Sequence, residues 1–264
     1  MSGERTITFF RPITTLRDGE LITAKDEVAR EAPVTIIVDG EEFATIVCSP
    51  ADLEELAIGF LASEGLIRIF EDVAALQVDE TKGFIYADLK VKQSIGKDYY
   101  SKRMIGSCCG KGRQFYFHND ARTAKTIISR QTITVSQCFA FMEEMQRGSA
   151  HFRRTGGVHN AALFSEHDML ASFTDIGRHN TLDKLYGYCL KHKIPAKDKI
   201  IAFSGRLSSE VILKTAKLGA GIILSKSAPT DLGLELAEEL GITAVGFIRG
   251  RHLNIYSHPE RIIL

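Results

Sequence analysis

From about Gly156 to the C-terminus, short apolar runs alternate with segments of helical period, and no other feature constrains the fold as strongly. Residues 161–164 and 169–174 read as strands turning around Glu166-His167-Asp168. Residues 180–191 read as a helix, 199–204 as a strand and 208–218 as a second helix. Residues 221–225 form an apolar strand, and 229–240 a helix that starts at proline and stops at Gly241. Strands at 243–248 and 253–256 complete the series. Strands this short, spaced by helices of this length, imply right-handed crossovers and a parallel or mixed sheet. The fold class is therefore α/β with a mixed sheet.

Upstream the pattern is β-rich. Residues 34–38 and 43–48 read as strands joined at Asp39-Gly40, a dipeptide suited to a tight hairpin turn. Leu53, Leu56, Ala57, Phe60 and Leu61 recur at helical spacing, with Gly65 as the stop. Residues 73–92 read as further strand pairing, broken at Lys82-Gly83. Residues 136–147 read as an amphipathic helix with Phe139, Met142 and Met145 on one face and Ser136 as its cap. The expected organisation is an N-terminal β-rich portion, residues 1–124, carrying a cysteine loop at 101–119, and an α/β core domain, residues 125–264.

A chain of 264 residues that is 44% hydrophobic can bury a full core. Its formal net charge is +0, so nothing global calls for nucleic acid or an anionic membrane, and anion binding must come from local clusters. No stretch approaches the about 18–20 apolar residues of a membrane span. The N-terminus carries no apolar segment ahead of a cleavage site. Five irregularly spaced cysteines suit a reducing compartment, and the expected location is cytoplasmic.

Two of those cysteines are adjacent, in Gly106-Ser107-Cys108-Cys109-Gly110-Lys111-Gly112-Arg113. The glycines predict a loop. No Asp or Glu occurs from Tyr99 to Asn119, whereas Lys102, Arg103, Lys111 and Arg113 all do. Neighbouring cations favour the thiolate, the reactive form of cysteine. Adjacent Cα atoms sit about 3.8 Å apart, too close for an unstrained disulfide. Cys108 and Cys109 are therefore candidate nucleophiles. Cys48, Cys138 and Cys189 fall at apolar positions and read as core.

Ligands of open α/β sheets collect at the carboxyl ends of strands beside helix N-termini. Three such junctions carry cations, hydroxyls or glycines: Thr174-Asp175-Ile176-Gly177-Arg178-His179-Asn180, Ser204-Gly205-Arg206-Leu207-Ser208-Ser209 and Ser225-Lys226-Ser227-Ala228-Pro229-Thr230. A fourth strand end supplies Phe247-Ile248-Arg249-Gly250-Arg251-His252, and His159 precedes another strand as a candidate polar contact. Backbone N–H groups, cations and hydroxyls are what phosphate or pyrophosphate recognition needs. The dinucleotide-binding and P-loop glycine fingerprints are missing, as are Cys-x-x-Cys and His-Glu-x-x-His, so no metal ligands are predicted.

Taken together, Thr155-Gly-Gly-Val-His-Asn-Ala-Ala-Leu-Phe164, Asp175-Ile-Gly-Arg-His-Asn-Thr-Leu-Asp-Lys184 and Phe203-Ser-Gly-Arg-Leu-Ser-Ser-Glu210 closely resemble the FdhD family. So do Ser227-Ala-Pro-Thr230, Leu236-Ala-Glu-Glu-Leu-Gly241 and Gly246-Phe-Ile-Arg-Gly-Arg251, and the likeness runs from about Glu31 to the C-terminus. The resemblance implies a cytidine-deaminase-like core without zinc chemistry. It implies a sulfurtransferase that takes sulfane sulfur from a cysteine desulfurase as a cysteine persulfide. The sulfur is passed to a molybdenum (or tungsten) bis-molybdopterin guanine dinucleotide cofactor destined for formate dehydrogenase.

Family members usually carry Ser-Cys-Gly-x-Cys-Gly-Lys where this chain has Ser107-Cys108-Cys109-Gly110-Lys111. A gapped alignment matches both cysteines; an ungapped one keeps Cys108 and puts Lys111 at the second position. Cys108 is the expected carrier on either alignment. Residues 247–252 match the family's cofactor segment, and Arg178, His179, Gly205, Arg206 and Lys226 are the further expected cofactor contacts. A homodimer would present two such sites. Two other readings stay open: a cofactor-holding chaperone with incidental cysteines, and a thiol hydrolase pairing Cys108 with His159 or His179.

Overall fold

The computed structural model describes residues 6–91, 104–105, 124 and 126–264. The chain opens with a two-stranded ribbon, β1 (Thr8–Arg17) and β2 (Glu20–Ala29), turning at Asp18 and Gly19. Both turn residues have positive φ, 51° and 88°, the backbone that a two-residue hairpin needs. Sequence reading assigned nothing here, because the ribbon's faces are mostly exposed and its apolar residues show no clean alternation.

Strands β3 (Ala32–Val38) and β4 (Glu41–Cys48) form the expected hairpin at Asp39-Gly40. Helix α1 (Leu53–Ser63) follows, then β5 (Val73–Asp79), β6 (Phe84–Leu89) and β7 (Met104–Ile105). These strands make a five-stranded mixed sheet in the order β5-β6-β3-β4-β7. Its inward residues, among them Val34, Ile36, Val38, Ile46 and Ile85, pack with Leu56, Phe60 and Leu61 of α1 into one core.

The short strand β8 (Ile133–Thr134) leads into α2 (Val135–Gly148), and α3 (Ala150–Thr155) follows. The cap of α2 is Thr134 rather than Ser136. Its Oγ1 accepts from the amide of Gln137, whose side chain in turn accepts from the amide of Thr134. The buried face of α2 is Cys138, Phe141, Met142 and Met145, with Phe139 only at its margin. The Phe141 ring stacks on Phe164 at 4.3 Å.

The second sheet alternates as the sequence requires. It contains β9 (His159–Phe164), β10 (Met169–Asp175), β11 (Ile200–Phe203), β12 (Ile222–Ser225), β13 (Thr243–Arg249) and β14 (His252–Ile255). Between them lie α4 (Arg178–Lys191), α5 (Ser209–Leu218) and α6 (Asp231–Glu239). The order is β10-β9-β11-β12-β13-β14. Strands β11, β12 and β13 run parallel, while β9, β10 and β14 close the edges with antiparallel pairings. Helices α4, α5 and α6 cover one face and α2 the other, so this is a mixed α/β sheet as expected. At the chain end, β15 (Ile262–Ile263) pairs in parallel with β8.

Helices α1 and α4 join the two sheets. Ser63 of α1 donates to Asp183 Oδ1 of α4 at 2.7 Å, and Lys214 of α5 meets the same buried carboxylate. Lys191 reaches Glu54 and Glu55 at 2.7 and 2.8 Å. Among the described residues no helix is long and apolar enough to cross a membrane.

Candidate functional site

Parallel strands β11, β12 and β13 end on one side of the second sheet. Because β9 runs antiparallel to β11, with Ala161 opposite Phe203, its first residue His159 arrives at that same side. The loops there are stitched together by side-chain hydroxyls. Ser204 Oγ accepts from the amide of Asn160 at 2.9 Å and lies 3.2 Å from His159 Nδ1. Ser225 Oγ donates to the carbonyl of Gly205 at 2.7 Å and accepts from the amide of Ser227 at 3.0 Å. Ser227 Oγ donates to the carbonyl of Ser204 at 3.0 Å, and the amide of Phe247 donates to Ser227 at 3.2 Å. The expected junctions therefore form one continuous edge.

Cations line it. Arg206, Lys226, Arg249, Arg251 and His252 are exposed, while Arg178 and His179 are half-buried. Arg249 Nε donates to the carbonyl of Lys226 at 3.2 Å, and Lys226 Nζ to Gln146 Oε1 of α2 at 3.2 Å. Gly205 is required by packing: a Cβ there would lie 2.9 Å from the Phe203 ring and 3.3 Å from Cβ of Arg178. That close approach seats Arg178 against the Ser204–Gly205 loop. Among the described residues, Arg178 Nε is buried with no hydrogen-bond partner, and so is Ser208 Oγ at the start of α5. Neither Gly177 nor Ser208 caps its helix through a side chain, so the first turns of α4 and α5 keep N–H groups uncapped by those residues. His179 Nε2 sits 2.8 Å from Glu210 Oε2, linking those two first turns.

His159 is held below the ordinary histidine range, first by burial, then by the guanidinium of Arg178 and the neighbouring His179. It is therefore the neutral imidazole at pH 7, next to a guanidinium. Burial pushes the thiols of Cys48, Cys138 and Cys189 up to about 12, and all three are buried. None is a nucleophile near neutral pH.

The segment at 247–252 has an unusual backbone. Phe247 has φ 52°, a left-handed conformation that costs a non-glycine residue on the order of 1–3 kcal/mol. The β13–β14 register slips between Gly246 and Arg249, which is a bulge. It turns the end of β13 toward the Ser225–Ser227 loop and places Arg249 over the Phe247 ring at 5.9 Å. Ile248 points the other way. It is 3% exposed and packs in the core against α2, so its side chain anchors the segment. Gly250, at φ 57°, makes the turn into β14.

Cys108 and Cys109 lie outside the described residues. Strand β7, just before them in the chain, pairs in parallel with β4, Met104 opposite Thr45 and Ile105 opposite Ile46. Sequence reading missed the buried groups behind the edge: Asp175 and Lys184 form an ion pair at 2.8 Å with neither side chain exposed. Removing one partner of such a pair costs about 3–5 kcal/mol. A strand-end Asp and a mid-helix Lys show no period that would announce them.

The strand ends of this mixed α/β sheet carry guanidiniums, an ammonium, hydroxyls and helix N-termini without a side-chain cap, groups whose chemistry suits anions such as phosphate. Residues 29–263 match the model of the FdhD/NarQ family, and the chain belongs to that family. It is 60% identical to a protein of Halalkalibacterium halodurans named sulfur carrier protein FdhD, over 96% of this chain and 94% of that one. A Bacillus subtilis protein of the same name is 52% identical over 97% of this chain and 98% of its own. Among solved structures, one described as a formate dehydrogenase accessory protein from Desulfotalea psychrophila superposes with a TM-score of 0.80. It is 25% identical and covers 98% of this chain and 100% of its own.

Proposed function

We propose that this chain is a sulfur carrier for the maturation of formate dehydrogenase. It takes sulfane sulfur from a cysteine desulfurase onto Cys108 and delivers it to a molybdenum (or tungsten) bis-molybdopterin guanine dinucleotide held along the strand-end edge. The names of the relatives and of the structural neighbour support the sulfur-carrier role. The observation that carries the cofactor half is the convergence of Arg178, Gly205, Arg206, Lys226, Phe247 and residues 249–252 on one edge, with donors there unpartnered among the described residues.

In the first step the Cys108 thiolate attacks the terminal sulfur of the desulfurase persulfide. A new S–S bond forms, the old one breaks and the desulfurase thiolate leaves. In the second, the terminal sulfur passes to the cofactor metal and the Cys108 thiolate returns. The two electrons that make it a sulfide ligand come from the metal. The protein supplies binding and delivery while the redox chemistry belongs to the cofactor. Cys109 stands ready as a relay or second thiol. The reading places the protein in the cytoplasm as a homodimer, between a cysteine desulfurase and formate dehydrogenase.

The test is intact-protein mass spectrometry after incubation with cysteine desulfurase and cysteine, alongside GDP titration. Wild type should gain one reductant-sensitive sulfur, Cys108→Ala none, and GDP should bind. Sulfur loss only in Cys109→Ala would move the carrier by one residue. GDP binding without any sulfur gain would leave a cofactor-holding chaperone.

A further inference from the structure

Asp175 ends β10 with no exposed surface, and both carboxylate oxygens are occupied. Oδ1 accepts from the amide of Gly177 and from Asn180 Nδ2, each at 2.8 Å. Oδ2 accepts from the amide of Ser49 at 3.1 Å and faces Lys184 Nζ at 2.8 Å. The seam continues on both sides. Ser49 Oγ accepts from the amide of Ile176 at 3.1 Å, and Asn180 Nδ2 also donates to the carbonyl of Val47 at 3.0 Å.

Two functional roots meet here. On one side lies the end of β4, which pairs with β7, and Cys108 follows Ile105 three residues later in the chain. On the other lies Gly177, where α4 begins, followed at once by Arg178 and His179 of the cationic edge. A buried ion pair rarely adds stability over an apolar pair of the same shape. What this one adds is direction, because its four donors come from two separate segments and fix their relative placement.

We propose that Asp175 is a positioning residue for sulfur delivery, holding the Gly177–Arg178–His179 turn in register with β4 and so with the strand that leads to Cys108. The inference rests on the sulfur-carrier reading. The carboxylate touches neither sulfur nor cofactor and acts through Gly177 and Ser49.

Asp175→Asn keeps the shape and an acceptor for Gly177 but turns an NH2 toward the Ser49 amide and the Lys184 ammonium. Because it strands the Lys184 charge, it is made alone and with Lys184→Met, which supplies a folded variant carrying the same seam defect. Three quantities are read: sulfur gained from desulfurase and cysteine, GDP affinity, and active formate dehydrogenase formed from the loaded carrier. Sulfur gain should stay within about twofold of wild type, while GDP affinity and dehydrogenase activation each fall about tenfold. Ile201→Val, a core change away from the seam, should leave all three unchanged. Wild-type GDP affinity and activation in the double variant would overturn the proposal. So would parallel loss of all three quantities in the double variant and in Ile201→Val. Failure of wild type itself to gain sulfur would sink the sulfur-carrier reading and take this inference with it.

Discussion

Gly59 of α1 and Gly187 of α4 face each other where the two helices cross with their backbones in contact. A Cβ on Gly59 would overlap the carbonyl of Asp183 and lie 2.7 Å from the amide of Gly187. One on Gly187 would overlap the carbonyl of Glu55 and lie 2.9 Å from the amide of Gly59. Neither clash can be relieved by turning a side chain, since the opposing atoms are backbone.

Gly59→Ala and Gly187→Ala should therefore each destabilise the protein by about 3 kcal/mol or more, the upper range for overpacking. Chemical denaturation measures this. A loss under about 1 kcal/mol in either would show that the helices can slide apart at little cost.

His159 gives a pH signature. A histidine whose folded pKa is depressed leaves the unfolded chain the better proton acceptor. Its contribution is intact above the ordinary value of about 6.5 and is lost as pH falls through the folded value. The melting temperature of wild type should drop more steeply between pH 7 and pH 5 than that of His159→Gln. Equal slopes would mean that the imidazole is as solvated as in a free peptide.

Arg206→Ala and Arg249→Ala should each weaken GDP binding about tenfold, the effect of one charge-assisted hydrogen bond to phosphate. Raising salt from 50 to 300 mM should weaken wild type more than either variant. Unchanged affinity in both would separate the cationic edge from the phosphates.

Alkylation of the folded protein with iodoacetamide should modify Cys108 and Cys109 and spare Cys48, Cys138 and Cys189, whose thiols are buried and held near 12. Modification of all five at equal rates, read by peptide mass spectrometry, would contradict the burial of those three.

Strands and helices from β9 to β14 were legible because each apolar run has the length and period of its element. Asp39-Gly40 and Gly65 announced their turns through the positive φ they adopt. The β1–β2 ribbon escaped, although Asp18-Gly19 is the same turn dipeptide, because Phe10, Leu16 and Leu21 remain exposed and no buried face imposes alternation. The strand-end cations were legible as a set. Their geometry was not, since Ser225, Ser227 and Asn160 act through contacts between residues far apart in the chain. The Thr134 cap was hidden because Ser136, two positions on, offers a second hydroxyl for the same role.

The crossing of α1 over α4 also bears on how the chain can be cut. Every residue of α1 other than Glu54 and Glu55 is buried, between the first sheet and α4. A fragment ending before β8 would expose bare peptide groups at Gly59, and one beginning there would expose them at Gly187. Neither half inherits a finished surface, so the first sheet and the edge bearing the cations are bound to melt, and to be inherited, as one piece.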